Sequence, residues 1–118
     1  MLDKLEQIEA RYEELTQLMA DPEVAQDHLR VAELAKERAE LEDVVTTFRA
    51  FKATSEELED TVELLEDDIG PELQELAELE VAELEERKTA LRDELRRLLI
   101  PKDPRDAKDV IVEIRAGA

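Results

Sequence analysis

The chain has 118 residues, 34 acidic against 16 basic, a net charge of −18, no cysteine and 3% aromatic content. A charge of that sign repels nucleic acid from the chain as a whole. Without cysteine there is no disulfide framework, thiolate metal site or thiol nucleophile. Ala, Leu, Glu, Lys and Arg dominate and there are only two glycines, so long helices around a thin aliphatic seam are expected, in one domain with an appendage at most. No apolar run approaches the roughly 18 residues of a membrane span, and the opening MLDKLEQIEA is charged from its third position. Neither a membrane span nor a signal peptide is read, and a cytoplasmic location is expected.

In chain order, Leu5, Ile8, Tyr12, Leu15 and Met19 alternate steps of three and four, which is a heptad seam. A first helix over about 2–20 follows. It stops at ADPEV, where Asp21 can cap a new start and Pro22 suits a first helical turn. A longer stripe then runs through Val31, Leu34, Leu41, Val44, Phe48, Phe51, Leu58, Val62, Leu65 and Ile69, with Arg38 and Ser55 in the two polar slots. Thr54 and Glu57 have the spacing of a capping box and offer a break near Ala53. Because the stripe keeps its phase through Ser55, one helix over about 23–69 is expected.

Gly70 and Pro71 punctuate the chain as a helix stop and the first turn of the next helix. That third helix, about 71–99, carries Leu73, Ala77, Val81, Leu84, Leu91, Leu95 and Leu98, and Pro101 and Pro104 end it. A turn of two or three residues forces helices two and three antiparallel. The expected fold is therefore all-α: a long, coiled-coil-like antiparallel hairpin with the shorter first helix packed near its open end. Residues 1–100 form this helical domain. Within 101–118, Val110, Val112 and Ile114 alternate with polar residues and read as one β-strand with no partner in the chain.

Little in the chain suggests catalysis. His28 is the single histidine, and the Glu-x-x-His pairs of helical metal bundles are missing. It reads as an ordinary residue near a helix start, and no metal or cofactor is expected. Paired acids fall on solvated helix faces without a predicted pocket. Ser55 and the threonines have no base near them in sequence, and the two glycines make no phosphate loop. An enzyme is not expected. Tyr12, Phe48 and Phe51 read as core rather than as base-stacking platforms. Arg87, Lys88, Arg92, Arg96 and Arg97 fit a helix C-terminus, with Glu83–Arg87 and Asp93–Arg97 as pairs.

One charge feature is unusual. Residues 54–86 hold fifteen Asp or Glu and no Lys or Arg, and in the hairpin this stretch is the distal tip. Like charge on both arms opposes their pairing, but it suits a basic partner. The candidate partner-binding residues are Glu59, Glu63, Glu66, Asp67, Asp68, Glu72 and Glu75.

The C-terminal residues carry a resemblance. Leu98-Leu99-Ile100-Pro101-Lys102-Asp103-Pro104, followed by Val112-Glu113-Ile114-Arg115-Ala116-Gly117, is similar to the junction between the first and second domains of the bacterial peptide chain release factor 1 family. The opening MLDKLEQIEARYEEL and the Asp21-Pro22-Glu23 break also resemble that family's first residues. The sister type-two branch typically lacks the Pro-Lys-Asp-Pro junction, so the type-one branch, which reads UAA and UAG, is favoured.

The resemblance implies the first domain of a translation termination factor, truncated before its codon-reading tripeptide and its Gly-Gly-Gln hydrolysis loop. The lone strand would then be the first strand of a further sheet. It also implies an arm directed at the factor-binding region of the large ribosomal subunit and in interplay with the recycling GTPase, with a basic protein meeting the acidic tip. The competing reading is a free-standing acidic coiled-coil adaptor or oligomerising scaffold. An unpaired strand has no purpose in such an autonomous bundle.

Overall fold

A computed structural model describes residues 1–100, and these hold four helices: α1 (Leu2–Ala20), α2 (Pro22–Ala25), α3 (His28–Leu65) and α4 (Pro71–Leu99). The strand expected at residues 110–114 lies outside the described residues.

The heptad seam of α1 buries Leu5, Tyr12 and Leu15. The helix stops where Pro22 disfavours helical backbone in the residue before it, and Asp21 is accordingly extended at φ −68° and ψ 124°. The Asp21 carboxylate accepts a 3.0 Å hydrogen bond from the Glu23 N–H, capping the single turn of α2. The helix expected over 23–69 is therefore interrupted after Ala25. Asp27 is extended, and its Oδ1 accepts from the Arg30 N–H at 3.2 Å, so it caps a fresh start.

From there α3 runs unbroken through Ala53 and Ser55 for 38 residues, about 57 Å at the helical rise. It ends four residues earlier than expected. Its last N–H groups make tightened bonds, Glu66 to the Glu63 carbonyl at 3.0 Å and Asp67 to the Leu64 carbonyl at 3.2 Å. Glu66, Asp67 and Asp68 place three negative charges where the helix dipole is already negative, which accounts for the early stop.

Gly70 does not close α3. It starts α4 from φ 86° and ψ 157°, a region open essentially to glycine alone. Its carbonyl accepts from the Gln74 N–H at 2.9 Å, and Pro71 then takes the first helical position. The connection between the arms thus spans residues 66–70 rather than two or three.

Both α1 and α4 pack along α3, and both run antiparallel to it. Arg11 meets Glu37 while Glu9, nearer the start of α1, meets Arg49 and Lys52 farther along α3. On the other side Lys88 lies over the Phe51 ring while Leu98, later on α4, lies beside Asp43, earlier on α3. The three helices overlap in one place. There Leu5, Val44, Phe48, Phe51 and Leu95 form a buried cluster that Ile8, Leu91, Leu98 and Leu99 flank. Each fully buried side chain of this kind contributes roughly 1.5–3 kcal/mol, so this junction is the base of the fold.

Beyond the base, only α3 and α4 continue, as a two-helix tip. Thr54 and Thr61 are buried on α3, Ala77 and Leu84 on α4. The hydroxyl of Thr61 donates to the Glu57 carbonyl at 2.9 Å, which satisfies it locally. The expected stripe placed Val62 on the seam. Val62 is instead 43% exposed while Thr61 is 8% exposed. Past the base α3 faces α4 alone, and the side it turns to α4 runs through Phe51, Thr54, Leu58, Thr61 and Leu65 in steps of three and four, which leaves Val62 one residue off the seam. Leu73 also leaves the expected seam, at 57% exposed, because α3 has already ended across from it.

Candidate functional site

The two ends of the arm use charge in opposite ways. At the base, cations of α3 are taken up by acids of α1. Arg49 donates from Nε to Glu9 at 2.9 Å and pairs with Glu13 through Nη2, while Lys52 reaches Glu9 at 2.7 Å. Lys52 is the main cause holding the Glu9 carboxyl below its usual range, and Glu9 with Glu13 raises the Arg49 guanidinium. The Arg11 guanidinium grips Glu37 and also pairs with Glu14, which raises Arg11 and lowers Glu37.

Tyr12 sits between two cations, with the Arg38 guanidinium 4.4 Å and that of Arg49 5.6 Å from its ring centroid. The polar slot at Arg38 is thereby explained: its Nε donates to Thr16 Oγ1 at 2.8 Å. Phe48 and Phe51 are core residues, and Lys52 Nζ lies 4.6 Å above the Phe48 ring.

The tip has no such pairing. Glu59, Glu63, Glu66, Asp67, Asp68, Glu72 and Glu75 are all exposed, and among the described residues none of them takes part in an ion pair. Two helix ends bring them together. Glu72 occupies the first turn of α4, where the dipole favours it, whereas Glu66, Asp67 and Asp68 follow the last turn of α3, which has no basic residue. The acidic end of α3 therefore opposes rather than supports helix stability. A surface of this kind raises the local concentration of cationic groups and speeds their encounter.

Elsewhere the residues singled out by sequence have ordinary surroundings. His28 is exposed in the first turn of α3. Of the basic cluster on α4, Arg96 and Arg97 lie in the last turn, Arg97 pairs with Glu94 rather than with Asp93, and Lys88 covers Phe51. Among the described residues no three His, Asp or Glu side chains converge as a metal-holding group, and no helix is long and apolar enough to cross a membrane. Where Leu2, Phe48 and Phe51 meet Lys88, a groove of about 410 Å³ is open to solvent. Ser55 Oγ is buried without a partner among the described residues.

Sequence reasoning missed Leu76 and Leu79, which are 61% and 59% exposed on the tip. The signal was present: both lie off the Ala77, Val81 and Leu84 seam, so a leucine there must face water.

The fold and its charge layout define a class: a braced three-helix base that projects an acidic two-helix arm. Residues 8–118 match the PCRF domain, and the chain belongs to that family. It is 47% identical over its whole length to Peptide chain release factor 1 of Geobacillus kaustophilus, 48% to that of Desulfitobacterium hafniense and 46% to that of Carboxydothermus hydrogenoformans. The chain spans 33% of the length of each of these relatives. No solved structure matches it.

Proposed function

We propose that this chain is the N-terminal helical arm of a class I peptide chain release factor that terminates translation at UAA and UAG. The observation that carries this reading is the family match over residues 8–118, which takes in the Leu-Leu-Ile-Pro-Lys-Asp-Pro run as well as the helices. Residues 1–100 are the arm, and 101–118 carry the sequence of the junction to a second domain. The arm serves as a contact surface and is not itself an enzyme. The 118 residues contain no Gly-Gly-Gln sequence.

In this reading the tip is directed at the factor-binding region of the large ribosomal subunit, within reach of the recycling GTPase, in the cytoplasm. Its unpaired carboxylates favour a basic protein over rRNA phosphate. The base, where Arg38, Arg49 and Lys52 of α3 are each held by an acid or a ring, supplies rigidity to the lever.

The test is a chimera in which this chain replaces the matching region of the Geobacillus kaustophilus relative. Peptide release from ribosomes stopped at UAA, UAG and UGA is then compared with release by the intact relative and by the 118-residue chain alone. The chimera should release at UAA and UAG but not at UGA, and the chain alone should release nothing. A chimera inactive at all three codons despite normal folding, or release by the chain alone, contradicts the reading.

A further inference from the structure

Leu73, Leu76 and Leu79, near the start of α4, are 57%, 61% and 59% exposed. A spacing of three makes each the surface neighbour of the next, so they form one continuous ridge. The ridge leaves the hairpin interior, which on α4 passes through Ala77 and Leu84. Leu76 and Leu79 therefore do not hold the two arms together, and burying them would require a second molecule.

Exposed carboxylates border the ridge. Glu72 and Glu80 lie four residues either side of Leu76, and Glu75 and Glu83 four either side of Leu79. We propose that this ridge is a docking surface for a protein element that presents an apolar strip edged by Lys or Arg, of the kind a basic amphipathic helix provides. The inference rests on the reading of the tip as a partner-contacting surface, and it names the chemistry of the partner.

Charge decides among the occupants. A second copy would bring its own fifteen acids and no cation from residues 54–86 against the same surface, and like charges juxtaposed at an interface oppose it. Nucleic acid and anionic lipid carry the wrong sign. A purely basic, water-loving segment would meet the carboxylates but leave three leucines in water. An amphipathic basic helix laid along the ridge buries the leucines and places its cations over Glu72, Glu75, Glu80 and Glu83.

The test is an anisotropy titration of the 118-residue chain against two labelled helical peptides. One has Leu and Lys in amphipathic spacing; the other has the same length and charge with Gln in place of Leu. The Leu-containing peptide should bind about tenfold more tightly. The double variant Leu76→Gln, Leu79→Gln should abolish that preference while its helicity and its binding to the Gln-containing peptide stay unchanged. Equal affinity for the two peptides overturns the proposal, as does a preference that survives in the double variant. Salt separates the two failures. Salt-sensitive binding that ignores the leucines leaves the charged tip standing and removes the ridge, whereas no binding of either peptide at low salt removes both.

Discussion

Arg11 and Glu37 are joined by two nearly parallel bonds, Nε to Oε2 at 2.6 Å and Nη2 to Oε1 at 2.9 Å, that tie the middle of α1 to the start of α3. This fork lies outside the hydrophobic cluster, where α3 has α1 alongside it but α4 has already ended. It sets the registry of the first helix through planar, paired geometry, which a lysine cannot reproduce.

The fork should be visible in the pH dependence of stability. Arg11 holds the Glu37 carboxyl below its usual range in the folded state, so the pair stabilises the fold fully above the ordinary carboxylate range. That contribution disappears as pH falls through the lowered folded value. The melting temperature of Arg11→Gln should therefore lie below that of the parent at neutral pH, and the gap should close on acidification. Rising salt should narrow it, because both side chains are about 40% exposed. Arg11→Lys should recover only part of the gap.

The base should be far less tolerant than the tip. Phe48 and Leu95 are 1% and 0% exposed, so Phe48→Ala should cost roughly 3–5 kcal/mol and Leu95→Ala roughly 2–5 kcal/mol. Leu76→Ala, on an exposed helix face, should stay within about 0.5 kcal/mol. Urea unfolding of the three variants, read by helicity, checks the ordering.

Gly70→Ala should destabilise the tip by roughly 1–3 kcal/mol through backbone strain alone. An added Cβ at this position would meet nothing within 4 Å, yet the φ of +86° remains unfavourable for any L side chain. Gly70→Asn should cost about as much as the alanine, because the tolerance of asparagine for positive φ is confined to the left-handed helical region and ψ here is 157°. Thermal melts in which glycine stands above both asparagine and alanine support the assignment. Equal melting of all three would show that the turn adopts another conformation at no cost.

The main elements were legible in the sequence because punctuation and periodicity agreed. Leu2–Ala20 and Pro71–Leu99 fall where the Asp21-Pro22 and Gly70-Pro71 signals put them. The restart at Asp27 was not read, because the apolar stripe begins only at Val31 and a single capping aspartate leaves periodicity undisturbed. The slip from Val62 to Thr61 was invisible for a different reason: the seam facing α4 passes through Thr54 and Thr61, and a stripe drawn through the most apolar residues takes Val62 instead. The early end of α3 was written in Glu66, Asp67 and Asp68, whose conflict with the helix dipole outweighed Ile69's place on the stripe. The acidic tip was legible from composition alone. The leucine ridge was legible in part: Leu76 and Leu79 lie off the Ala77, Val81 and Leu84 seam, whereas the exposure of Leu73 depends on where α3 stops.

The acidic tip gives the most direct test of the account. A full-length factor that carries this chain is compared with its Glu59→Gln, Glu63→Gln, Glu66→Gln variant for the rate of association with stopped ribosomes, at low and at high salt. Melting should not fall, because the substitutions relieve like-charge repulsion on one helix. Association should slow at low salt, and the difference should fade as salt screens the tip. An unchanged rate at low salt would contradict the account and leave the tip as a solvated face without a basic partner.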